Sequence, residues 1–279
     1  MRRCIVSALA AWLSCSGVFA TCTATQENWD NSPVLGFPDG GTPPISTSVS
    51  LMANINSVGD LVVITAWCFP PTFTGGGCTP KNVMLGSQTA VRTTVAMNLD
   101  IGTAGTPGSG RGWIYYVLSA TASGLQTLTF NTVETQQLQV SYMDFKASTG
   151  CTFSHDVDSP LGTTNVGSHI SVPSITATQG DLLFNFTITA SHMVDPVGSP
   201  WAPSIWQPQL SHFLANSVNL VVYNLSAPSG PVSNNANTLH AGDSVQALIT
   251  SFKISPNDPP PNPPTSLTSV VHGIGEMIK

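Results

Sequence analysis

The 279-residue chain has a formal net charge of −6, and charged residues make up only 8% of it. Its eight Lys and Arg residues are too few and too scattered for a basic patch, which argues against binding nucleic acid or anionic lipid. Solubility must therefore come from neutral polar side chains.

The N-terminus predicts export. A positive Met1-Arg2-Arg3 precedes the apolar segment 4–18, which is too short to span a bilayer. Small residues before position 21 suit cleavage after Ala20. Residues 1–20 are therefore predicted to be a bacterial-type signal peptide, which places the protein outside the cell as a secreted or surface protein. The sequence contains no other transmembrane candidate, so no transmembrane anchor is expected.

The remaining chain divides into three parts. Residues 21–45 are polar and turn-rich and predict an irregular lead, residues 46–255 predict one β domain, and residues 256–279 predict a Pro-rich linker and disordered tail. No long window has helical periodicity. Strands are expected near 47–55, 60–69, 83–96, 112–120, 125–132, 138–148, 169–175, 181–190, 209–214, 218–227 and 243–255.

Three short motifs occur twice, in the same order. A duplicated motif with β-branched surroundings predicts a repeated sheet unit. We therefore expect a single antiparallel β-sandwich with two pseudo-repeated halves. Two of the motifs share an offset of 107 residues, and the third has an offset of 121; the pairs are Tyr116–Ala120 with Tyr223–Ala227, Gln139–Ser148 with Gln246–Ser255, and Gly59–Leu61 with Gly180–Leu182.

The second of these motifs predicts an irregularity in the sheet. Leu138, Val140 and Tyr142 alternate with polar residues, and then the apolar phase slips to Phe145. The same slip precedes Phe252. Since an extra residue is one way for a strand to change face, a β-bulge is expected in each copy.

Four cysteines remain after the predicted cleavage, and an even number in an exported chain indicates disulfides. Cys68 and Cys78 flank a loop rich in Pro and Gly, so they are the favoured pair. A Cys22–Cys151 bond follows by elimination. The alternative is that Cys22 is a free thiol in a frayed terminus.

The order of these motifs, with Gly124–Phe130 between them, resembles a group of uncharacterised exported bacterial proteins. The resemblance covers residues 46–255 and implies a jelly-roll or concanavalin-like sandwich without assigning any catalytic residue. The segment Pro263–Val271 resembles the first strand of a fibronectin type III domain. It is either a truncated module or a flexible tail.

The chain carries a poor inventory for catalysis. It has no Gly-x-Ser-x-Gly motif, and its glutamates are only Glu27, Glu134 and Glu276. The adjacent pair Ser154-His155 would point to opposite faces of a strand and could not cooperate. The sequence therefore predicts that the protein is not an enzyme and needs no cofactor, with one Ca²⁺ candidate to consider.

That candidate is the pair Asp156 and Asp158. On an extended backbone, carboxylates two residues apart face the same side, and Ca²⁺ prefers such oxygen ligands. The alternative, which the sequence favours, is an exposed acidic turn.

Trp201 and Trp206 lie in the Pro-rich segment 200–208 and are the candidate ligand-binding residues. Binding residues concentrate on loops, and indoles can stack on sugar rings. The alternative is that both indoles cap one end of the core.

The sequence thus predicts a non-catalytic exported module that binds an extracellular polysaccharide or mediates adhesion to a surface protein. Two alternatives stay open. One is a carbohydrate-active lyase or hydrolase on a jelly-roll scaffold, and the other is a purely structural surface protein. A convergent acid–base pair in a groove would favour the enzyme, and a long unpaired edge strand would favour assembly.

Overall fold

A computed structural model describes residues 21–31, 46–69, 78–100, 109–160, 169–171, 174–190, 207–214, 217–232, 235–237 and 244–257. Within these ranges the protein is all-β and contains no helix, and so no helix that could cross a membrane. The strands are β1 (Ala24–Asn31), β2 (Ser46–Ile55), β3 (Leu61–Phe69), β4 (Pro80–Leu85), β5 (Gln88–Thr89), β6 (Val91–Arg92), β7 (Met97–Asp100), β8 (Ser109–Val117), β9 (Gly124–Ala147), β10 (Cys151–Asp158), β11 (His169–Ser171), β12 (Ile175–Thr176), β13 (Leu182–Ala190), β14 (Gln207–Leu214), β15 (Ser217–Asn224), β16 (Pro231–Val232), β17 (Asn235–Asn237) and β18 (Ser244–Pro256).

The 24-residue strand β9 organises the first sheet, which has nine strands in the order β5-β4-β9-β3-β8-β6, with β1 and β2 also on β9 and β7 on β8. The first part of β9 pairs with β2 and β4, and its second part pairs with β1 and β3. The pairing of β2 with β9 jumps register between Ser48↔Asn131 and Ser46↔Gln136, which marks where β9 changes partners.

The first sheet curls back on itself and is nearly closed. Apolar side chains from β2, β4 and the first part of β9 meet side chains of β3, β8 and the second part of β9 in one buried cluster. Phe130 and Trp113 contact each other there, with ring centroids 5.9 Å apart. A long strand shared by two layers lets the sheet bury its own concave face without a helix.

The second sheet has five strands in the order β10-β18-β13-β15-β14. It packs against the convex face of the first sheet through an inner cluster that draws residues from both sheets. Phe145 and Phe252 are both fully buried in it. The outer face of the second sheet has a smaller cluster, which includes Leu183 and Ile249 together with Ile175 of β12 and Val232 of β16.

The predicted irregularities occur beside Phe145 and Phe252, but the register shifts lie where the edge strands β1 and β10 pair with β9 and β18, not where β3 and β13 do. The β3–β9 register runs without interruption from Leu61↔Phe145 to Phe69↔Gln137, and the β13–β18 register does so from Leu182↔Phe252 to Ala190↔Ser244. The apolar phase changes because these strands are buried on both faces, so that Tyr142 and Phe145 enter different clusters. Such strands carry apolar residues on successive positions without any slip.

The two Gly-Asp-Leu motifs, Gly59–Leu61 and Gly180–Leu182, have matching backbone partners. The Gly59 amide donates to Ala120 O at 2.8 Å, and the Ala120 amide donates to Asp60 O at 2.9 Å. At the second motif, the Gly180 amide donates to Ala227 O at 2.9 Å, and the Ala227 amide donates to Asp181 O at 2.6 Å. Each motif is thus hydrogen-bonded to the last residue of a Tyr-x-Leu-Ser-Ala segment of the same sheet. These segments are Tyr116–Ala120 and Tyr223–Ala227. Both glycines have positive φ (96° and 92°), which a side chain would strain.

Strands β1 and β10, which the sequence analysis missed, occupy corresponding edges. Strand β1 pairs Gln26 with Phe145 and then shifts register, and β10 pairs His155 with Phe252 and then does the same. Disulfides join Cys22 to Cys151 and Cys68 to Cys78, the two pairs favoured from the sequence. Cystines of this kind fit an oxidising compartment.

Candidate functional site

A polar cleft of about 300 Å³ opens beside the first Gly-Asp-Leu motif. One wall is the turn 57–60, and the opposite wall is the segment 146–152, which connects the two sheets. Ser119 and Asn257 complete the lining. Five of the thirteen lining residues carry a hydroxyl, and one acid, Asp60, and one cation, Lys146, lie among them.

Two carboxyl groups hold the turn in place: Asp60, which lines the cleft, and Asp144, which does not. The Asn56 amide donates to Asp144 Oδ2 and the Ser57 amide donates to Asp60 Oδ2, each at 2.7 Å. Asp144 is fully buried, and Asp60 is 3% exposed. Asp144 Oδ1 is buried without a hydrogen-bond partner. The wall of the cleft therefore rests on two acids that water barely reaches.

Burial is the largest cause of the raised pKa at both acids. It raises the pKa of Asp144 to about 7; the backbone hydrogen bond from Asn56 opposes the rise, and the charges of Asp60 and Glu27 add to it. Burial also raises the pKa of Asp60, against the Ser57 hydrogen bond and the Lys146 charge. At neutral pH the two acids together therefore hold part of a proton.

The second Gly-Asp-Leu motif repeats the arrangement with a different neighbour. The Thr178 amide donates to Asp181 Oδ2 at 3.1 Å. Burial raises the pKa of Asp181, and the nearby Asp156 carboxyl raises it further. Lys253 lies on the other side of Asp156, 3.9 Å from Oδ1.

Asp158 faces a different environment from Asp156. Its Oδ2 accepts hydrogen bonds from the Thr94 amide at 3.0 Å and the Thr94 hydroxyl at 2.9 Å. Its Oδ1 accepts from Thr250 at 2.7 Å and lies 2.8 Å from His155 Nε2. Burial opposes ionisation, but these hydrogen bonds outweigh it and hold the pKa of Asp158 below its usual value. Asp158 thus ties β10 and β18 to the loop after β6.

The two carboxylates of the Ca²⁺ candidate, Asp156 and Asp158, therefore have different surroundings in the structure. The register shift between His155 and Asp158 gives the carboxylates of Asp156 and Asp158 separate partners. Among the described residues, no three His, Cys, Asp or Glu side chains are grouped so that they could hold a metal ion.

Asp158→Ala is expected to lower the free energy of unfolding by about 3 kcal/mol, because it leaves the buried Thr250 hydroxyl unpaired and removes the hydrogen bonds from Thr94 and the contact with His155. Urea denaturation measures the effect. Asp156→Ala is the matched control two residues away. It removes a half-exposed ion pair with Lys253 and an acid that raises the pKa of Asp181, so it should cost less than about 1 kcal/mol. Equal losses from the two variants would contradict the assignment.

The outer face of the first sheet over β2, β4 and the first part of β9 is a second surface of interest. Three of its exposed apolar residues are Met52 (52% exposed), Leu125 (67%) and Val133 (62%). The row Ser50–Thr129–Met84–Thr89, which crosses four strands beside Met52, is uncharged, and the nearest charges are Lys81 and Glu134 toward Val133. The part of this face around Met52 could contact another neutral surface without burying a charge.

The sequence analysis missed the cleft and its carboxyl pair, although the repeated Gly-Asp-Leu motif already marked Asp60 and Asp181. The candidate ligand-binding residues Trp201 and Trp206 lie outside the described residues, as do the predicted signal peptide and most of the Pro-rich tail. Their roles stay predictions.

Comparison with protein-family models, with curated proteins and with solved structures finds no match for this chain. The resemblance to exported bacterial sandwich proteins therefore stays a prediction, and the function must be argued from the geometry alone.

Proposed function

We propose that the protein is an exported, non-catalytic module that binds a neutral polysaccharide in the cleft beside Asp60. The observation that carries the proposal is the lining of this cleft, which contains the hydroxyls of Ser57, Ser119 and Ser148 and the single cation Lys146. Hydroxyls both donate and accept hydrogen bonds, which suits the hydroxyls of a sugar.

The charges favour a neutral ligand. Lys146 is the one cation that lines the cleft, and its ammonium already donates to Ser57 Oγ at 3.3 Å. The two acids that hold the turn and the net charge of −6 would repel an acidic polymer. A sugar without carboxylates or sulfates meets none of this repulsion.

The same geometry favours binding over catalysis. A general acid must reach the proton acceptor of its substrate within hydrogen-bond distance. Asp144, the acid with the pKa nearest neutrality, is fully buried behind the turn. Its hydrogen bond to Asn56 gives it a structural role, so we assign no catalytic residue here.

For the architecture, we propose a β-sandwich of two duplicated halves, residues 22–148 and 151–257. Two edge-to-face aromatic contacts support it. Phe145 lies 5.6 Å from Tyr223, and Tyr116 lies 5.4 Å from Phe252. Each contact joins one half to the other. Tyr116 corresponds to Tyr223 and Phe145 to Phe252 by the 107-residue offset, so the two contacts are equivalent when the halves are exchanged. Reciprocal contacts of this kind are the signature of a two-fold interface between like units.

For the location, we propose export through the signal peptide at residues 1–20, followed by secretion or residence at the cell surface. The two disulfides support an oxidising destination.

A substitution that fills the cleft with a bulky side chain tests the proposal. Ser119 is exposed at its edge. Ser119→Trp should weaken binding at least about tenfold, measured with glucose, xylose and N-acetylglucosamine hexasaccharides, because the indole takes the space of a sugar ring. Thr127→Lys, on the exposed outer face, is the matched control and should bind as the wild type does. If no hexasaccharide binds the wild-type protein, or if Ser119→Trp binds normally, the proposal is wrong.

The outer face supports adhesion as a second candidate function. Its uncharged row and exposed Met52 and Leu125 suit contact with a neutral partner surface. Thr127→Lys separates the two functions, because it would abolish adhesion through this face while leaving the cleft intact.

The sequence-based prediction for the indoles stands beside these two. If Trp201 and Trp206 extend the binding surface, Trp→Ala at either position should weaken oligosaccharide binding by about 1–3 kcal/mol with little change in stability. A steep loss of melting temperature with unchanged affinity would assign both indoles to the core.

A further inference from the structure

We infer that the protein has a second binding corner for the same class of ligand, a neutral hydroxyl-rich polymer, at the second Gly-Asp-Leu motif. This inference rests on the proposed function of the cleft. It makes the chain bivalent, which the proposed function alone does not require.

The backbone at the two corners is the same. Each Gly-Asp pair exchanges one hydrogen bond in each direction with the alanine that ends a Tyr-x-Leu-Ser-Ala segment, all four between 2.6 and 2.9 Å. In each corner, an amide three residues before the aspartate donates to the aspartate side chain. The next residue then opens the corresponding strand, with Leu61 opposite Phe145 and Leu182 opposite Phe252.

Side chains of the same chemistry stand at the corresponding places. Three of the residues that line the cleft have direct counterparts by offset. Thr178 replaces Ser57, Ser226 replaces Ser119, and Lys253 replaces Lys146. Ser119 and Ser226 are both exposed, and each precedes a buried alanine. The second corner therefore presents hydroxyls and one ammonium around a buried aspartate, as the first does.

The dipeptide that forms part of the far wall of the cleft also occurs twice in the chain. Cys151 and Thr152 line the cleft, and the same dipeptide occurs at Cys22 and Thr23. In both copies the cysteine is half-buried, the threonine is exposed and the next residue is buried. The two cysteines form one disulfide, so these dipeptides lie side by side.

One difference separates the corners. Lys253 lies 3.9 Å from Asp156, and its side chain is 44% exposed. A half-exposed ion pair is weak, so a ligand can draw the ammonium away at little cost. The Lys253 ammonium of the second corner therefore stays available to a ligand. The acid beside it is Asp156, and the corresponding acid of the first corner is Glu27.

Two corners on one chain change the way that a polymer is held. Once one segment is bound, the second contact becomes intramolecular, and avidity can exceed either single affinity by about 10²–10⁴. A protein of this kind can bridge two polymer chains, which a single cleft cannot do.

Calorimetric titration of the full chain with the tightest-binding hexasaccharide of the panel tests the inference. We expect two sites per chain in the wild type and one site in either Ser119→Trp or Ser226→Trp. Circular dichroism and melting temperature check that each variant is folded, and Ser226→Arg replaces Ser226→Trp if the indole prevents folding.

The outcomes separate the two proposals. One site in the wild type, lost in Ser119→Trp and unaffected by Ser226→Trp, would overturn the second corner and leave the cleft standing. Absence of binding to every hexasaccharide would overturn both. Two sites that neither variant removes would place binding elsewhere and would also overturn both.

Discussion

Replacing Cys22 and Cys151 together by alanine is expected to lower the free energy of unfolding by about 5 kcal/mol. The bond joins residues 129 positions apart, and the chain-entropy cost of an open loop grows with its length. The bond also fastens edge strand β1 to the start of β10. Urea denaturation of the oxidised proteins measures the loss.

The second disulfide provides the matched control. Cys68 and Cys78 are only 10 residues apart, so the double alanine variant should lose about 3 kcal/mol by the same reasoning. Alkylation of Cys22 as a free thiol in the native protein, or a smaller loss from the long loop than from the short one, would contradict the expectation.

Asp144→Asn should stabilise the protein above neutral pH. Because burial raises the pKa of Asp144 to about 7, the folded state keeps a proton that the unfolded state releases near pH 4. The stability contributed by this group is therefore full below pH 4 and is lost as the pH rises to about 7. The loss reaches about 4 kcal/mol at most, and an asparagine avoids it.

Thermal unfolding at pH 4 and pH 8 tests this expectation. The melting temperature of Asp144→Asn should exceed the wild-type value at pH 8 by about 10 °C and match it at pH 4. Asp158→Asn is the control, and its melting temperature at pH 8 should change in the opposite direction, to below the wild-type value. The reason is that hydrogen bonds lower the pKa of Asp158 and so stabilise its charged form. A lower melting temperature of Asp144→Asn at both pH values would mean that the charged carboxylate is the stable form.

Much of the strand pattern could be predicted from the sequence, because alternation and turn residues are local signals. Strand β1 could not. Its sequence, ATQENWDN, has little apolar alternation, and it becomes a strand because β9 offers it an open edge. The predicted break between residues 132 and 138 is likewise absent, since β9 continues through this polar stretch while it changes partners.

The candidate site was harder to predict from the sequence than the strands were. Asp60 and Asp144 are distant in the chain, and they meet because the β3–β9 register sets Leu61 opposite Phe145 and Val62 opposite Asp144. Neither acid belongs to a recognised catalytic or metal-binding spacing. The repeated motif pointed to Asp60, but only the tertiary pairing gives it a buried partner and a cleft in front.

The most direct measurement is a titration of the full chain with the neutral hexasaccharides, followed by chromatography of the sugars after prolonged incubation. The proposal predicts saturable binding that Ser119→Trp weakens and recovery of the sugars at their original length. Shortened sugars would make the protein an enzyme, and the absence of binding to any of them would remove the cleft as a polysaccharide site.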